Sequence, residues 1–297
     1  MNPLGASLGR AEPWPAPGKL NLFLHVVGRR SDGYHLLQTV FQFIDLCDEI
    51  RFRVRPAGVV ERIGDVPGVP PAADLVVRAA RRLLDHAPGV RTGVGIEIRK
   101  RLPMQGGVGG GSSDAATVLV ALNELWELRL SPKELEGIGL ELGADVPVFI
   151  AGHAAFAEGV GEKLTPVVLP EPVYLLVRPD VAVSTGEVFK DPELTRDSAV
   201  ITIRDSLTSG VRNDCEPVVR RRFPAVAEAL DWLGHFAPAR LTGTGSCVYA
   251  AMPDEASARE ALGNMPGRWT GYVVRGINRS PLIARCRLEQ DRMGSAR

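Results

Sequence analysis

The sequence has 297 residues, which suits one large domain or two, and its hydrophobic share of 45% and charged share of 24% are typical of globular proteins. Its 35 basic and 35 acidic side chains cancel, so the composition excludes a global electrostatic attraction to nucleic acid or to a membrane surface. Four scattered cysteines without a CxxC pair, and no apolar run of about 18 residues, predict reduced thiols in a cytoplasmic protein without a membrane span.

The first predicted strand covers residues 18–28 and follows a start rich in Gly, Pro and Ala, whose first dozen residues we expect to be loose. Its alternation places Leu20 and Leu24 on one face, and Lys19 and Asn21 side by side on the other. A lysine beside an amide is unusual on so apolar a strand. Either the strand lies at the edge of a sheet with one face in water, or the two polar side chains belong to a functional site.

A turn at residues 31–35 precedes an extended segment at 36–43 and a strand at 47–54. Tyr34 and His35 in this turn are either amphipathic rings at its rim or contacts to an aromatic ligand, and the sequence favours neither. A loop rich in Pro and Gly follows at 56–73. A helix is then predicted over 74–86, with Asp74 as its N-cap.

A predicted strand at residues 93–100 leads directly into a glycine-rich loop at 102–114, and a helix apolar almost all round follows at 115–126. Such a loop presents bare backbone N–H groups at the positive end of a helix dipole, which is a phosphate site by physical chemistry alone. A flexible linker is the alternative, but linkers are not joined to helices this apolar. Asp114 lies in the first turn of the helix, and we interpret it as structural.

Ser131 begins the next predicted helix as its N-cap, with a capping-box Glu134, and the helix ends at Gly143. Asp145 lies between this glycine and Pro147, so it is either the N-cap of another helix or a carboxylate of the site. The proline-rich segment 166–172 reads as a hinge between two parts of the chain.

The second part alternates predicted strands and helices, which indicates a small α+β unit. The predicted elements are strands at 173–178, 246–252 and 272–277, a short helix or loop at 185–194, a helix at 216–235 broken near Pro224, and a helix at 254–265. A second glycine-rich loop at 241–247 is too short to be a linker. The polar tail after about residue 289 is expected to fray.

Three familiar phosphate loops do not fit the first glycine loop. A Walker A loop requires a lysine before its Ser or Thr, and no lysine precedes Ser112. Neither glycine loop has the G-x-G-x-x-G spacing of a dinucleotide fingerprint. A protein kinase would also carry His-Arg-Asp and Asp-Phe-Gly motifs, and both are absent.

The segment 103–116, Pro-Met-Gln-Gly-Gly-Val-Gly-Gly-Gly-Ser-Ser-Asp-Ala-Ala, resembles the phosphate loop of the GHMP small-molecule kinases. Gly-Lys-Leu-Asn-Leu near the start, Leu-Gly-Ala-Asp-Val-Pro in the middle and Leu-Thr-Gly-Thr-Gly-Ser near the end support this family in the expected order. Asp-Gly-Tyr-His-x-Leu-Gln-Thr and Gly-His-Ala-Ala-Phe-Ala-Glu-Gly-Val-Gly-Glu narrow the resemblance to one member, which acts on a cytidyl diphosphate sugar alcohol.

The resemblance implies an α+β, two-domain GHMP kinase fold, with a ribosomal-S5-like N-terminal domain, a ferredoxin-like C-terminal domain and the active site between them. We therefore expect an ATP-binding domain at 1–168 and a substrate-side domain at 169–297. The resemblance also implies ATP and Mg²⁺ as cofactors, with no metal-ligating side chain assigned, and a small-molecule substrate. We expect a monomer or weak homodimer with no nucleic-acid or membrane partner.

The resemblance assigns roles to three groups of residues. Lys19 and Asp145 match the catalytic pair of the family. The residues that match the ATP-phosphate contact are Pro103, Met104, Gln105, Gly106, Gly107, Val108, Gly109, Gly110, Gly111, Ser112 and Ser113. The residues that match the substrate pocket are Asn21, Tyr34, His35, Thr185 and Phe189. In the family the tyrosine and the phenylalanine sandwich the cytosine, and the histidine bonds its edge.

The resulting prediction is phosphoryl transfer from ATP to a hydroxyl group. Asp145 accepts or orients the hydroxyl proton, Lys19 stabilises negative charge, and a hydroxyl of Ser112 or Ser113 approaches Mg²⁺. Two positions depart from the family pattern. Gln105 stands where the family has glycine or alanine, and it either points outward or crowds the nucleotide. Asp74 stands where some relatives carry an asparagine near the adenine, so adenine recognition is less well defined than phosphate recognition.

Two other functions compete with this prediction. Another GHMP-type kinase, of the homoserine, mevalonate or galactose type, is disfavoured by Tyr34, His35 and Phe189, because those substrates have no base to stack on. A non-catalytic nucleotide-binding sensor with the same fold is disfavoured because Lys19 and Asp145 are both present.

Overall fold

The computed structural model describes residues 12–66, 68–87, 89–207 and 211–295. Its strands are β1 Trp14–Arg29, β2 His35–Arg55, β3 Val60–Ile63, β4 Gly93–Arg99, β5 Ala155–Glu158, β6 Lys163–Pro166, β7 Val173–Arg178, β8 Ala239–Leu241, β9 Val248–Met252 and β10 Thr270–Ile277. Its α-helices are α1 Leu75–Asp85, α2 Gly110–Leu125, α3 Pro132–Leu142, α4 Val146–Ala151, α5 Thr185–Lys190, α6 Ile203–Ser206, α7 Glu216–Arg222, α8 Pro224–Gly234, α9 Glu255–Gly263 and α10 Pro281–Ser295.

One continuous sheet runs through both halves of the described chain, in the order β3-β4-β2-β10-β7-β9-β8. The central strand β2 also pairs with β1 and β5, and β5 pairs with β6. The halves join where Ile44 and Phe43 of β2 pair antiparallel with Gly276 and Ile277 of β10. The predicted α+β class is therefore confirmed, with both kinds of element interleaved along the chain.

The first strand is longer than its sequence pattern predicts, because β1 begins at Trp14 rather than at residue 18. Prolines at 15 and 17 conceal this start. Among the described strands β1 pairs only with β2, and its one further bridge, from Leu24 to Asn213, lies beyond the prolines. The first residues of β1 therefore lie at a sheet edge, which tolerates prolines. The predicted segments 36–43 and 47–54 are likewise parts of a single strand, β2. The loop predicted at 56–73 contains β3, which pairs in parallel with β4.

Helix α2 begins at Gly110, five residues before the apolar run that predicts it. Its buried face includes Val118, Leu119 and Leu122, all fully buried in the largest hydrophobic core. This core joins α1, α2, α3 and α4 to β1, β2 and β4. The glycine-rich loop is thereby joined at one end to a buried helix, as the sequence predicts.

The C-terminal helix α10 packs against the N-terminal half of the chain. The tail after residue 289, expected to fray, is helical as far as Ser295, so that expectation is wrong for the described residues. Leu282 lies in the same core as β1 and α2, and the Arg285 guanidinium lies 4.3 Å from the centre of the Trp14 ring. Residues 1–11, where the sequence predicts a loose segment, lie outside the described residues.

Candidate active site

A single cleft of 890 Å³ brings the predicted site residues together. Its lining includes both predicted catalytic residues, the glycine-rich loop from Pro103 to Ser112, and the predicted substrate residues Asn21, Tyr34, His35, Thr185 and Phe189. Ser113 is not part of this lining, because its side chain is fully buried in the first turn of α2. The sequence therefore predicted which elements meet at the cleft.

Lys19 lines the cleft and is 3% exposed. Its ammonium group is 3.3 Å from Oδ2 of Asp145, 2.5 Å from Oδ1 of Asn21 and 3.2 Å from the carbonyl oxygen of Gly107. The ring of Phe41 lies beneath it, 5.2 Å from Nζ to the centroid. β1 is an edge strand as one interpretation supposed, but its polar face is buried rather than in water, because it faces the loop and the cleft.

Asp145 occupies the N-cap position of α4 without acting as a cap. Its side chain accepts no hydrogen bond from the helix, and its backbone is in the α region rather than the extended region usual for capping residues. The carboxylate is instead 35% exposed at the cleft and directed to Lys19. The structure therefore favours the site interpretation of Asp145 over the capping interpretation.

The backbone carbonyl and amide groups of the glycine-rich loop differ in their hydrogen bonding. The carbonyl groups of Gln105, Gly106 and Val108 accept from the amides of Ser246, Cys247 and Lys19, respectively. In the described part of the chain, the amides from Gly106 to Ser112 donate to no backbone carbonyl in the turns and loops. The loop lines the cleft and leaves these N–H groups without a backbone partner at the positive end of α2, where an anion is stabilised.

Two glycines permit the close packing of this loop. A Cβ on Gly107 would lie 2.2 Å from the carbonyl oxygen of Thr242, and one on Gly109 would lie 2.8 Å from the ring of Phe149. Both glycines also have positive φ angles, 75° and 73°. A side chain at either position would therefore clash as well as strain the backbone. The second glycine-rich loop, which the sequence left without a role, is the element against which Gly107 packs.

Beside the loop lies a cluster that we call the clasp, formed by Lys100 and the buried carboxylates of Asp48 and Asp114. Lys100 donates to Asp48 and, at 2.7 Å, to Oδ2 of Asp114. Asp48 also accepts from the amides of Arg101 and Leu102, at 2.5 and 2.8 Å. The clasp therefore ties the entry of the loop to the first turn of α2, which bears out the structural interpretation of Asp114.

The electrostatics of the clasp follow from two carboxylates around one ammonium group. Burial raises the pKa of Asp114 to about 7, against the opposing effect of Lys100 and with a contribution from Asp48. Oδ1 of Asp114 is buried without a hydrogen-bond partner. Burial lowers the pKa of Lys100, but Asp114 and Asp48 outweigh it and raise the pKa overall. The lysine therefore stays charged, and the free-energy cost of burying a charge in the clasp falls on Asp114.

The opposite end of the cleft is aromatic. His35 stacks on Phe189, with ring centroids 5.0 Å apart and planes at 30°. Tyr34 is 63% exposed beside them. Thr185 lies at the start of α5, and its hydroxyl is 2.9 Å from that of Thr244 in the second glycine-rich loop. The three predicted base-contacting rings thus lie at one end of the cleft, although Phe189 packs on His35 in this structure.

Two departures from the family pattern are explained by local geometry. Gln105 has a φ of 54°, in the left-handed region that glycine adopts without strain, and its side chain is exposed. Asp74 caps α1 by accepting from the amide of Val76 at 3.1 Å, and its other oxygen is 2.7 Å from Nη1 of Arg62. The N-cap prediction for Asp74 is confirmed, and both carboxylate oxygens are occupied within the protein.

Sequence reasoning missed several contributors to the cleft, of which three bond or pack against predicted site residues or the loop. Lys100 and Thr244 line the cleft, and Arg196 bonds His35 at its edge. The only signal for Thr244 was its place in a glycine-rich loop. Lys100 and Arg196 stand among ordinary polar residues, so only the folded chain reveals their positions.

No three His, Cys, Asp or Glu side chains within the described ranges are grouped so as to hold a metal ion. Among the helices described, none combines the length and apolar character that crossing a bilayer requires.

Two family models match the chain: GHMP kinases N terminal domain at residues 74–153, and GHMP kinases C terminal at residues 195–270. The fold and the cleft thus define a small-molecule kinase of the GHMP class, and the predicted two-domain GHMP fold is confirmed. A homoserine kinase from Cytophaga hutchinsonii shares this fold, with a TM-score of 0.66 at 16% identity, over 91% of this chain and 95% of that one.

Curated relatives are closer in sequence. The 4-diphosphocytidyl-2-C-methyl-D-erythritol kinase of Nitrosococcus oceani is 59% identical over 91% of this chain and 96% of its own, and that of Alkalilimnicola ehrlichii is 58% identical over 94% and 95%. A solved 4-(cytidine 5'-diphospho)-2C-methyl-D-erythritol kinase superposes with a TM-score of 0.75 at 31% identity, covering 90% of this chain and 100% of that one. The chain belongs to the 4-diphosphocytidyl-2-C-methyl-D-erythritol kinase family and is a phosphotransferase.

Proposed function

We propose that this enzyme transfers the γ-phosphoryl group of ATP to the 2-hydroxyl of 4-diphosphocytidyl-2-C-methyl-D-erythritol, a step of the non-mevalonate route to isoprenoid precursors. The observation that carries the proposal is the Lys19–Asp145 pair at 3.3 Å, in one cleft with the glycine-rich loop and the aromatic end. The names of the close relatives supply the substrate. The phosphate loop fits a nucleoside triphosphate, and the aromatic end of the cleft fits an alcohol that carries a cytidine.

The phosphates of ATP bind at the unused amides between Gly106 and Ser112. Phosphoryl transfer has a loose transition state, so positioning and charge stabilisation supply most of the rate acceleration. Preorganised amides do this without reorganisation, because the carbonyl groups of the loop already accept hydrogen bonds from neighbouring elements and hold the loop in place. Hydrogen bonds from Asn21 and Lys19 to neighbouring groups fix the side chains that contact the acceptor alcohol.

Asp145 takes the proton of the acceptor hydroxyl as the alcohol oxygen forms its bond to the γ-phosphorus and the bond to the β–γ bridging oxygen breaks. The products are the phosphorylated alcohol and ADP, and the proton stays on the carboxylate until solvent removes it. Lys19 lies beside Asp145 and beside the loop, so its ammonium group stabilises the charge that develops between alcohol and phosphate.

The residues of the cleft fit a magnesium ion bound together with the nucleotide. Mg²⁺ prefers oxygen ligands, and in nucleotide sites it takes most of them from phosphates and water. Ser112 and Asp145 offer oxygen atoms in the cleft lining next to the phosphate loop, whereas Oγ of Ser113 is buried. Asp114 also lines the cleft, but it is 4% exposed and bonded to Lys100. Ser112 and Asp145 would therefore contact the hydrated ion, and the ion would neutralise the charge of the phosphates.

The first test removes the proposed base. Asp145→Asn keeps the size and the hydrogen-bonding shape of the side chain but cannot accept the proton. We expect the purified variant to lose roughly 10²–10⁴-fold in kcat with ATP, Mg²⁺ and the cytidyl substrate, measured by ADP release and by detection of the 2-phosphate.

The matched control is Asp85→Asn, which removes a carboxylate from the exposed end of α1, away from the cleft. It should keep the parental kcat and KM. An Asp145→Asn variant within a few-fold of the parent would refute the base assignment. A parent enzyme without activity on the cytidyl substrate would refute the proposed function itself.

The cytoplasmic location, the monomeric or weakly dimeric state and the division at residue 168 remain predictions from the sequence.

A further inference from the structure

Asn213 is a buried residue, 6% exposed, that contacts the second glycine-rich loop and lies outside the cleft lining. Its side-chain amide donates to the carbonyl oxygens of Leu241 and Gly243, at 3.0 and 2.8 Å. Its Oδ1 accepts from the amide of Cys215 at 2.9 Å. The two carbonyl groups that the amide holds belong to the residues on either side of Thr242, so one side chain fixes the chain before and after this threonine.

The main chain around this asparagine is bonded to strand β1. The carbonyl oxygen of Arg212 accepts from the amide of Leu24 at 3.1 Å, and the amide of Asp214 donates to the carbonyl oxygen of Leu24 at 2.8 Å, which forms a parallel bridge. The ladder between β1 and β2 is irregular between Asn21 and Leu24. The bridge therefore supports β1 where its pairing with β2 is interrupted, a few residues beyond Lys19.

The second glycine-rich loop in turn supports the phosphate loop. Two of its backbone amides donate to carbonyl groups of the phosphate loop, at 3.3 and 3.1 Å. The hydroxyl of Thr242 donates to the carbonyl oxygen of Gly107 at 3.2 Å and accepts from the amide of Asn21 at 3.0 Å. A shift of Thr242 would therefore move the phosphate loop relative to the strand that carries Lys19.

We infer that Asn213 is a positioning residue for phosphoryl transfer, because it holds Thr242 and thereby sets the distance between the phosphate loop and Lys19. The inference rests on the proposed function and adds to it a residue outside the cleft lining. Transfer depends on the relative placement of the nucleotide and the acceptor alcohol. A displacement of about 1 Å that originates far from the chemistry lowers a rate by about 10²-fold.

The main test is Asn213→Asp. This variant keeps the shape of the side chain and the acceptor for the amide of Cys215, but it sets an oxygen against the carbonyl groups of Leu241 and Gly243. We expect kcat on the cytidyl substrate to fall at least about tenfold at a temperature where the variant is folded. The dissociation constant of a non-hydrolysable ATP analogue, measured by titration calorimetry, should rise at least about fivefold, because the phosphate loop is no longer preorganised.

The matched control is the same substitution at Asn123, which is 5% exposed and also holds a loop. Its Nδ2 donates to the carbonyl oxygen of Leu130 at 3.2 Å, and its Oδ1 accepts from the amide of Leu130 at 2.9 Å. Asn123 lies near the C-terminal end of α2 and outside the cleft lining. Asn123→Asp should lose thermal stability, as Asn213→Asp does, but keep the parental kcat and the parental affinity for the ATP analogue.

A second pair of variants, Asn213→Ser and Asn123→Ser, repeats the comparison without introducing a charge, and we expect the same contrast between the two positions. If the variants at Asn213 match those at Asn123 in kcat and in affinity for the ATP analogue, Asn213 only supports the fold and the inference is overturned. Inactivity of the parent on the cytidyl substrate would refute the proposed function alone, because affinity for the ATP analogue still compares the two positions.

Discussion

Gln105 shows how one backbone angle explains a departure from a family pattern. Its φ of 54° is accessible to glycine without strain, but costs an ordinary residue about 1–2 kcal/mol. Gln105 is exposed where it lines the cleft, while its carbonyl group accepts from the amide of Ser246. The sequence alone left open whether Gln105 crowds the nucleotide, because a side-chain direction in a loop depends on backbone angles that no periodic pattern encodes.

Gln105→Gly should raise the midpoint of thermal unfolding by a small amount. Relief of the left-handed strain is partly offset by the greater entropy of glycine in the unfolded chain, so the net gain is below about 1 kcal/mol. The KM for ATP should stay within about twofold, since the exposed amide makes no contact that the loop requires. Differential scanning fluorimetry and steady-state kinetics measure the two effects.

Arg129→Gly is the control for this substitution, because Arg129 has a comparable φ of 60° and lies outside the cleft lining. It should gain similar stability with no kinetic effect. A change of many-fold in the KM for ATP in Gln105→Gly alone would mean that the glutamine side chain itself contacts the nucleotide.

At the scale of elements, the clasp joins β2, the end of β4 and the start of α2. A sequence pattern does not predict such a cluster, because Asp48, Lys100 and Asp114 are separated along the chain and each resembles a surface residue. Helix α10 was missed for a related reason. Glu289 is 1% exposed and bonds Arg285 at 2.7 Å, so a charged pair occupies positions that a periodicity argument expects to be apolar.

The clasp predicts a pH dependence of stability. The pKa of Asp114 is raised by burial to about 7 from 3.8, so between these values the folded state binds a proton that the unfolded state has lost. Folding stability from this group is therefore fully present below pH 3.8 and is lost as pH rises to about 7. Asp114→Asn removes this loss, so its stability relative to the parent should increase as pH rises through this interval.

Urea unfolding at several pH values measures the difference between the Asp114→Asn variant and the parent. Asp85→Asn, on the exposed end of α1, should show a difference that is small and nearly constant with pH. A constant difference for Asp114→Asn as well would contradict the assignment of the raised pKa to this carboxyl group.

At the scale of the whole molecule, the active site depends on contacts between the two halves of the chain. The hydroxyl of Thr242 accepts from the amide of Asn21 at 3.0 Å and donates to the carbonyl oxygen of Gly107 at 3.2 Å. One side chain of the C-terminal half thus joins the strand that carries Lys19 to the phosphate loop. The order of motifs predicted that these segments meet, but the atoms that connect them follow only from the folded arrangement.

Thr242→Val keeps the shape of this side chain and removes both hydrogen bonds. The amide of Asn21 is then buried without a partner, which costs about 1–3 kcal/mol. We expect kcat to fall together with stability, because the side chain at position 242 no longer joins the phosphate loop to the strand that carries Lys19. The control is Thr165→Val on β6, where an exposed threonine is replaced by a residue that strands favour. Unchanged kcat in Thr242→Val would show that the halves hold their positions without this hydroxyl.

The return of α10 to the N-terminal half has a consequence for synthesis on the ribosome. Leu282 fills the core formed by β1 and α2, and Arg285 covers Trp14 near the start of the described chain. Because translation proceeds from the N-terminus, the nascent N-terminal half lacks this covering until residues 281–295 have been made. Its apolar surface therefore stays open to chaperones throughout elongation, and an arrested chain without these residues exposes the same surface to proteases.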